Sequence, residues 1–137
     1  MAFFKRNDIG RLYVIKMVLP DDTVVHKIGM CHSDRATDRM MEILKSWFIS
    51  FRFVPYAELK LDMQCQNSLL LEKYIHSVLR PVSFEPNHKV QGHTEMFTDI
   101  NEARLLWFIK ACENSNYVDM TAVTKEQALI FHKLLTI

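Results

Sequence analysis

Two short apolar runs separated by a tight turn constrain the fold of this chain more than any other feature. Residues 12–19 and 23–28 are rich in β-branched and aromatic side chains, and Pro-Asp-Asp lies between them at residues 20–22. This pattern is typical of an antiparallel hairpin, in which proline and aspartate supply the turn. Because an isolated hairpin cannot bury its apolar face, further strands and helices have to cover it.

Four later segments repeat apolar side chains at helical spacing and therefore predict helices. They cover residues 35–48, 64–80, 101–113 and 124–135. The expected N-terminal caps are Ser33 or Asp34, then Asp99, and finally Thr124 with Gln127 in a capping box.

The fold class that follows is α/β (α+β), with a small three-stranded sheet, mixed or antiparallel, flanked by helices. The third strand is expected at about residues 50–59, where Pro55 indicates an edge or a bulge. Residues 94–98 are a candidate for another short strand, and the helices after residue 99 should form an extension that packs on the same domain. The most buried side chains should include Ile43, Leu44, Trp47, Leu70, Leu71 and Ile75.

Composition and charge limit the class of protein. With 137 residues, of which 49% are hydrophobic and 24% charged, the chain fits one globular domain. A net charge of +1 provides no overall field that would attract nucleic acid, so such a partner would have to be recognised by a local site. Cys31, Cys65 and Cys112 are too widely spaced for a zinc site and are expected to be free thiols.

No association with a membrane is expected. The longest apolar runs fall far short of the ~20 residues of a membrane-spanning helix. The first residues, Met-Ala-Phe-Phe-Lys-Arg, lack the charged-then-apolar order of a signal peptide. We therefore expect a cytoplasmic protein.

A set of short motifs follows the predicted elements in order. Leu-Tyr-Val at residues 12–14 lies on the first strand, Lys-Ile-Gly at 27–29 ends the second, and Gly-His-Thr-Glu-Met-Phe comes late, at 92–97. Together with an arginine on the first helix and a glutamate on the second, these motifs resemble the GIY-YIG nuclease superfamily, in the branch common in phage and bacterial proteins. The resemblance covers residues 10–97.

The resemblance implies roles for side chains of the hairpin and the first helix. Tyr13 matches the tyrosine of the first motif, and Lys27 stands where a second tyrosine is usual. Either could be the general base that activates water, and Tyr13 is the favoured choice. Of two arginines on the first helix, Arg39 lies at the margin of the apolar arc whereas Arg35 faces solvent, so Arg39 is expected to bind the phosphate.

The second predicted helix carries the metal-binding residue that the resemblance implies. Glu72 matches the glutamate of the family and is expected to bind Mg²⁺, with Mn²⁺ as the alternative. His76 lies one turn further on the same side, where this branch often has a histidine, so both side chains would project into one cleft. Glu95 is expected to brace its loop and Phe97 to lie in the core. Further candidates are His26, His32, Asn87 and Asn101.

The function implied by the resemblance is that of a Mg²⁺-dependent DNA endonuclease or nicking enzyme, with a nuclease domain at residues 1–98 and a helical extension at 99–137. The alternative is a catalytically weak or inactive module of the same fold that binds nucleic acid or a protein. The sequence has no zinc-finger spacing, no long basic helix and no run of lysine and arginine. Specificity would therefore come from the domain itself, from a homodimer or from an additional protein partner.

Overall fold

The computed structural model describes residues 10–32, 35–86, 95–114 and 124–137. Its strands are β1 (Gly10–Val18), β2 (Val24–Cys31), β3 (Tyr56–Cys65) and β4 (Met96–Phe97). Its helices are α1 (Ala36–Phe51), α2 (Ser68–Leu79), α3 (Glu102–Asn114) and α4 (Lys125–Leu135), and a 3-10 turn at Arg80–Val82 follows α2. The class is α+β, as the sequence predicted.

The four strands form one antiparallel sheet in the order β3-β1-β2-β4. Strand β1 pairs along its length with β2 and with β3, whereas β4 pairs its two residues with His26 and Lys27 of β2. The predicted hairpin is present. The prediction of three strands in the sheet was wrong, since β4 adds a fourth. This strand lies within residues 94–98, the segment that the sequence analysis named as a candidate for another short strand.

The boundary between the first helix and the third strand differs from the prediction. Strand β3 begins at Tyr56 rather than near residue 50, because α1 continues to Phe51. Arg52 ends the helix in the left-handed region, with φ 66°, and its N–H still reaches the Phe48 carbonyl. A helix that ends without a glycine leaves little trace in the sequence, and the predicted boundary therefore came too early.

The helix caps agree with the sequence at one helix and differ at another. Thr124 and Gln127 form the predicted capping box at α4. At α3, the side chain of Asn101 accepts the backbone N–H of the third helical residue at 3.2 Å. Asp99 is therefore not the cap, and it adopts the left-handed region instead, with φ 56°. The other predicted caps, Ser33 and Asp34, lie outside the described residues.

The sheet separates two apolar clusters. Side chains alternate along β1, so that Leu12 and Val14 face one side while Tyr13 and Ile15 face the other. Helices α2, α3 and α4 cover the first side and form the larger cluster, and α1 covers the second. The two C-terminal helices thus share a core with α2, while the predicted boundary between residues 98 and 99 stays a prediction.

The core agrees with the sequence analysis in most positions. Of the six residues predicted to be most buried, four are buried, while Leu44 and Leu70 are half-buried. The three cysteines are free and buried. Across the described ranges, none of the helices combines the length and the apolar character that crossing a membrane requires.

Candidate functional site

Gly29 makes room for two side chains of the hairpin. It lies opposite Tyr13 in the pairing of β1 with β2, two residues after Lys27. A Cβ atom at position 29 would lie 2.6 Å from Tyr13 Oη and 2.7 Å from Lys27 Nζ. Both side chains therefore pass over the glycine, and Lys27 Nζ lies 5.3 Å from the centre of the Tyr13 ring. The missing side chain at Gly29 is what lets the hydroxyl and the ammonium come together.

Lys27 is completely buried and forms an ion pair with Glu95. The distance from Lys27 Nζ to Glu95 Oε1 is 2.5 Å, and the Glu95 carbonyl accepts the Ile28 N–H at 3.1 Å. A buried ammonium without a partner is strongly destabilising. Glu95, which was expected to brace its loop, is thus also the residue that allows a lysine at this position.

Two side chains of α2 hydrogen-bond to the outer edge of β2, at residues that β4 is too short to pair with. His76 Nε2 donates to the Ile28 carbonyl at 2.7 Å, and the Glu72 carboxylate accepts the Met30 N–H. An edge strand leaves backbone donors and acceptors unpaired, and these side chains satisfy them where a longer β4 would have done so. The same contacts bring Glu72 and His76 close to Glu95.

Glu72, His76 and Glu95 form a cluster in which one ligand atom from each lies within 4.8 Å of the others. Burial raises the pKa of Glu72 to about 7, and the negative charge of Glu95 adds to this effect, while Lys27 opposes it. Burial lowers the pKa of His76. Its imidazole is therefore neutral at neutral pH, with a proton on Nε2 for the Ile28 carbonyl and a lone pair on Nδ1.

The composition of this cluster fits a divalent cation. Carboxylates are the usual ligands of Mg²⁺ and Mn²⁺, and imidazole is a ligand of transition metals. Glu95 binds Lys27 through Oε1 and is also hydrogen-bonded to Glu72, so a cation would replace the proton between these two carboxyl groups. The sequence predicted Glu72 alone as a ligand, and the geometry adds His76 and Glu95 as residues that could hold the cation.

Arg39 of α1 reaches Tyr13 from the other direction. Its side chain is 24% exposed, and its Nη1 donates to Glu42 Oε1 at 3.0 Å. Burial lowers the pKa of Arg39, but hydrogen bonds to Glu42 and Tyr13 outweigh this and raise the pKa overall. Tyr13 is therefore hydrogen-bonded to Arg39 and also lies close to Lys27.

The two further histidine candidates lie away from this group. His26 is buried on the opposite side of β2 from Lys27, where its Nε2 pairs with Glu102 Oε1 at 2.9 Å. Burial lowers its pKa, although Glu102 opposes the change. His32 is exposed just after β2.

The residues around the late motif divide between packing and the site. Phe97 is buried as expected, with 5.3 Å between its ring centre and that of His76. Asn101 caps α3, and Asn87 lies outside the described residues. The sequence analysis did not place Glu95 in the site; the available signal was an isolated glutamate directly before the short apolar strand.

Comparison with protein families gives a match along most of the structure. The model of the T5orf172 domain matches residues 10–113, from the start of β1 into α3. The chain belongs to the T5orf172 domain family. This family is nuclease-associated, and its match includes every residue of the site described above. No curated protein and no solved structure matches the chain.

The family assignment made from the sequence motifs is therefore wrong. The T5orf172 domain is a different family from the GIY-YIG nuclease superfamily that those motifs indicated. Each motif spans only a few residues on common strands and helices, so even an ordered set of them does not distinguish one family from another. The positions of Tyr13, Lys27, Arg39, Glu72 and His76 come from the structure and do not depend on that assignment.

Proposed function

We propose that this T5orf172 domain hydrolyses phosphodiester bonds in DNA with the help of a bound divalent cation. The nuclease association of the family supports DNA as the substrate. The observation that carries the proposal is the convergence, around the hairpin of β1 and β2, of a tyrosine hydroxyl, a buried lysine, an arginine and a carboxylate–imidazole cluster. Phosphodiester hydrolysis requires a group that moves a proton, positive charge around the phosphate and stabilisation of the leaving oxygen.

The cluster of Glu72, His76 and Glu95 would hold the cation, either Mg²⁺ or Mn²⁺. When bound, the cation would supply Lewis-acid stabilisation of negative charge on the phosphate and the leaving oxygen. Lys27 fixes the Glu95 carboxylate by its ion pair. His76 is fixed by its hydrogen bond to the Ile28 carbonyl, which sets its tautomer, and Nδ1 would be the ring nitrogen with a lone pair for the cation.

Three side chains would act on the substrate and the attacking water. The guanidinium of Arg39 would bind non-bridging oxygens of the scissile phosphate through its planar fork. Tyr13, acting as a phenolate, would accept a proton from water as the water oxygen bonds to phosphorus. The bond from phosphorus to the deoxyribose oxygen breaks, and that oxygen takes a proton from solvent. Lys27, held by Glu95, would remain a fixed positive charge beside the Tyr13 ring.

A second candidate function is DNA binding without hydrolysis. It is favoured by the contacts of Glu72 and His76, because both side chains already have a structural role in closing the edge of β2. In this case Arg39 would bind a phosphate and no bond would break. A homodimer, or an additional protein that supplies specificity, remains a prediction for either function.

Incubation of the protein with supercoiled plasmid, in Mg²⁺, in Mn²⁺ or in EDTA, tests the proposal. We expect a cation to support conversion to nicked or linear DNA, EDTA to abolish it and Arg39→Gln to lower its rate. Glu126→Gln, a change at an exposed position of α4, is the control and should cleave at the wild-type rate. DNA binding with no cleavage in either cation would instead establish the second function.

A further inference from the structure

One carboxylate on α1 is bound by two arginines. Nη1 of Arg39 lies 3.0 Å from Oε1 of Glu42, and Nη2 of Arg35 lies 3.6 Å from Oε2 of the same side chain. The three residues follow one another along one side of the helix, at spacings of four and three residues. Each oxygen of the carboxylate is therefore matched to a different guanidinium.

A carboxylate between two guanidinium groups occupies a position that a phosphate group also fits. Both anions present oxygens to the planar N–H fork of arginine, and arginine binds both in the same bidentate manner. The side chains of Arg35 and Glu42 are 54% and 41% exposed. Ion pairs at this exposure are weak, so an incoming anion can replace Glu42 without a large loss of stability.

The position of the pair connects it to the candidate site. Arg39 also donates a hydrogen bond to Tyr13, so a phosphate held by both arginines would lie next to the group that is proposed to act on water. Arg35, at the N-cap position directly before α1, is exposed and adds a second positive charge. With a net charge of +1 on the whole chain, attraction of a polyanion depends on such local groups rather than on the overall field.

We propose that Arg35 and Arg39 form a clamp for a backbone phosphate of DNA, and that Glu42 occupies the clamp as a substitute anion in the protein without DNA. The inference rests on the proposed function in taking DNA as the ligand. It adds Arg35 as a second phosphate-binding residue and gives Glu42 a regulatory role, since the carboxylate competes with the substrate. Binding would exchange the contacts of Glu42 for contacts of the phosphate.

The first test is the affinity of Glu42→Gln for a short fluorescent DNA duplex in EDTA, where no cleavage occurs. Loss of the competing charge should tighten binding by about 2- to 5-fold, the range that corresponds to an exposed ion pair. Glu126→Gln is the matched control, because it changes the net charge equally but lies on α4, on the other side of the sheet. Equal affinities of the two variants would overturn the proposal.

The second test is the salt dependence of binding by Arg35→Gln. Loss of one phosphate contact should reduce the slope of log K against log salt concentration by about 0.9. Lys125→Gln, on α4, loses the same charge and should keep the wild-type slope. An unchanged slope in Arg35→Gln would overturn the clamp, as would a wild-type protein that binds neither the duplex nor its single strands.

The binding tests of the clamp and the plasmid-cleavage test of hydrolysis can fail independently of each other. If Glu42→Gln binds more tightly than Glu126→Gln but plasmid is not cleaved, the clamp stands and the proposed hydrolysis is wrong. If plasmid is cleaved but the two variants bind equally, hydrolysis stands and the clamp is wrong.

Discussion

Two buried ionisable side chains lie next to each other on β2, and they face opposite sides of the sheet. Lys27 faces the side of α1 and pairs with Glu95 at 2.5 Å. His26 faces the side of α2, α3 and α4 and pairs with Glu102 at 2.9 Å. Each side chain is buried on a central part of the strand, and each has a carboxylate partner from a later part of the chain.

The surroundings of the two pairs differ. Around Lys27, a hydroxyl, an arginine and a cluster fit for a cation come together, and Gly29 leaves space for them. Around His26, the charges pair among themselves, since Lys60 binds Glu58 at 3.0 Å and Glu102 at 3.6 Å. A buried ionisable side chain with a carboxylate partner is therefore not enough to mark a functional site. What distinguishes Lys27 is the set of chemically different groups that converge on it.

The largest difference in cleavage rate should appear when one carboxylate near each pair is changed, Glu72 on the side of Lys27 and Glu102 on the side of His26. Glu72→Gln removes a charged ligand of the proposed cation, and we expect the rate of plasmid cleavage to fall by on the order of 10³-fold. Glu102→Gln removes the partner of His26 and should leave the rate within about two-fold of wild type. Similar losses of cleavage rate in both variants would show that the surroundings of Lys27 matter no more for hydrolysis than those of His26.

The roles of Tyr13 and Lys27 can be separated by single-turnover cleavage at saturating cation. If Tyr13 is the base, Tyr13→Phe should lower the rate by on the order of 10²-fold, while Lys27→Arg keeps the charge and part of the activity. If Lys27 is the base, Lys27→Arg should be as inactive as Lys27→Ala, because arginine does not lose its proton at working pH. Wild-type rates in all of these variants would remove both residues from the mechanism.

Gly29→Ala tests whether the space beneath Tyr13 and Lys27 matters. The new Cβ would lie 2.6 Å from Tyr13 Oη, so we expect the free energy of unfolding to fall by about 1–3 kcal/mol, as for other overpacked sites. Cleavage by the folded fraction should fall as well. Gly10→Ala is the control: its Cβ would lie 2.8 Å from the Cys31 carbonyl oxygen, so it should lose stability in denaturant titrations but keep its cleavage rate.

His26→Gln tests the other side of the comparison. The change shortens the side chain that reaches Glu102 and should lower the free energy of unfolding by about 1 kcal/mol, the usual value of one such hydrogen bond. Cleavage should be unaffected, because His26 faces away from Tyr13 and Arg39. A loss of cleavage in a fully folded His26→Gln variant would show that His26 also contributes to hydrolysis, although it lies on the opposite face of the sheet.

Stability should also depend on pH, and the sign of this dependence differs between the two sides of the sheet. The pKa of Glu72 is raised from 4.5 to about 7, so the folded protein holds this proton more tightly and the associated stability is lost as pH rises through that range. The pKa of His26 is lowered from 6.5, so its associated stability is lost as pH falls below 6.5. Denaturant titrations across pH should show opposite trends when Glu72→Gln and His26→Gln are compared with wild type.

The sequence predicted those parts of the fold in which a local pattern is long enough to be read. The hairpin and the helices each have many residues in phase, and the capping box at α4 has a defined spacing. Strand β4 has two residues, and the end of α1 depends on the backbone conformation of Arg52. Neither feature leaves a periodic signal. Residues 94–98 were therefore only a candidate strand outside the predicted three-stranded sheet, and β3 was placed too early.

The candidate site divides in the same way. Tyr13, Lys27 and Glu72 could be singled out because each stands in a short pattern on a predicted element. Glu95 could not, because its pairing with Lys27 joins residues 68 positions apart and depends on β4 lying beside β2. The approach of Arg35 and Arg39 to Glu42 differs from this case, because spacings of four and three residues place all three side chains along one side of a helix; the sequence analysis did not consider Glu42.

The edge of β2 that Glu72 and His76 close also affects how this protein behaves at high concentration. An open strand edge can recruit the edge of another molecule, and growth of such contacts leads to aggregation. Here the Ile28 carbonyl and the Met30 N–H are already taken by side chains. Gln at position 72 keeps an oxygen acceptor for the Met30 N–H, whereas Ala does not. Glu72→Ala should therefore lose solubility together with cleavage, and Glu72→Gln is the variant that separates the chemistry of the site from the protection of the sheet.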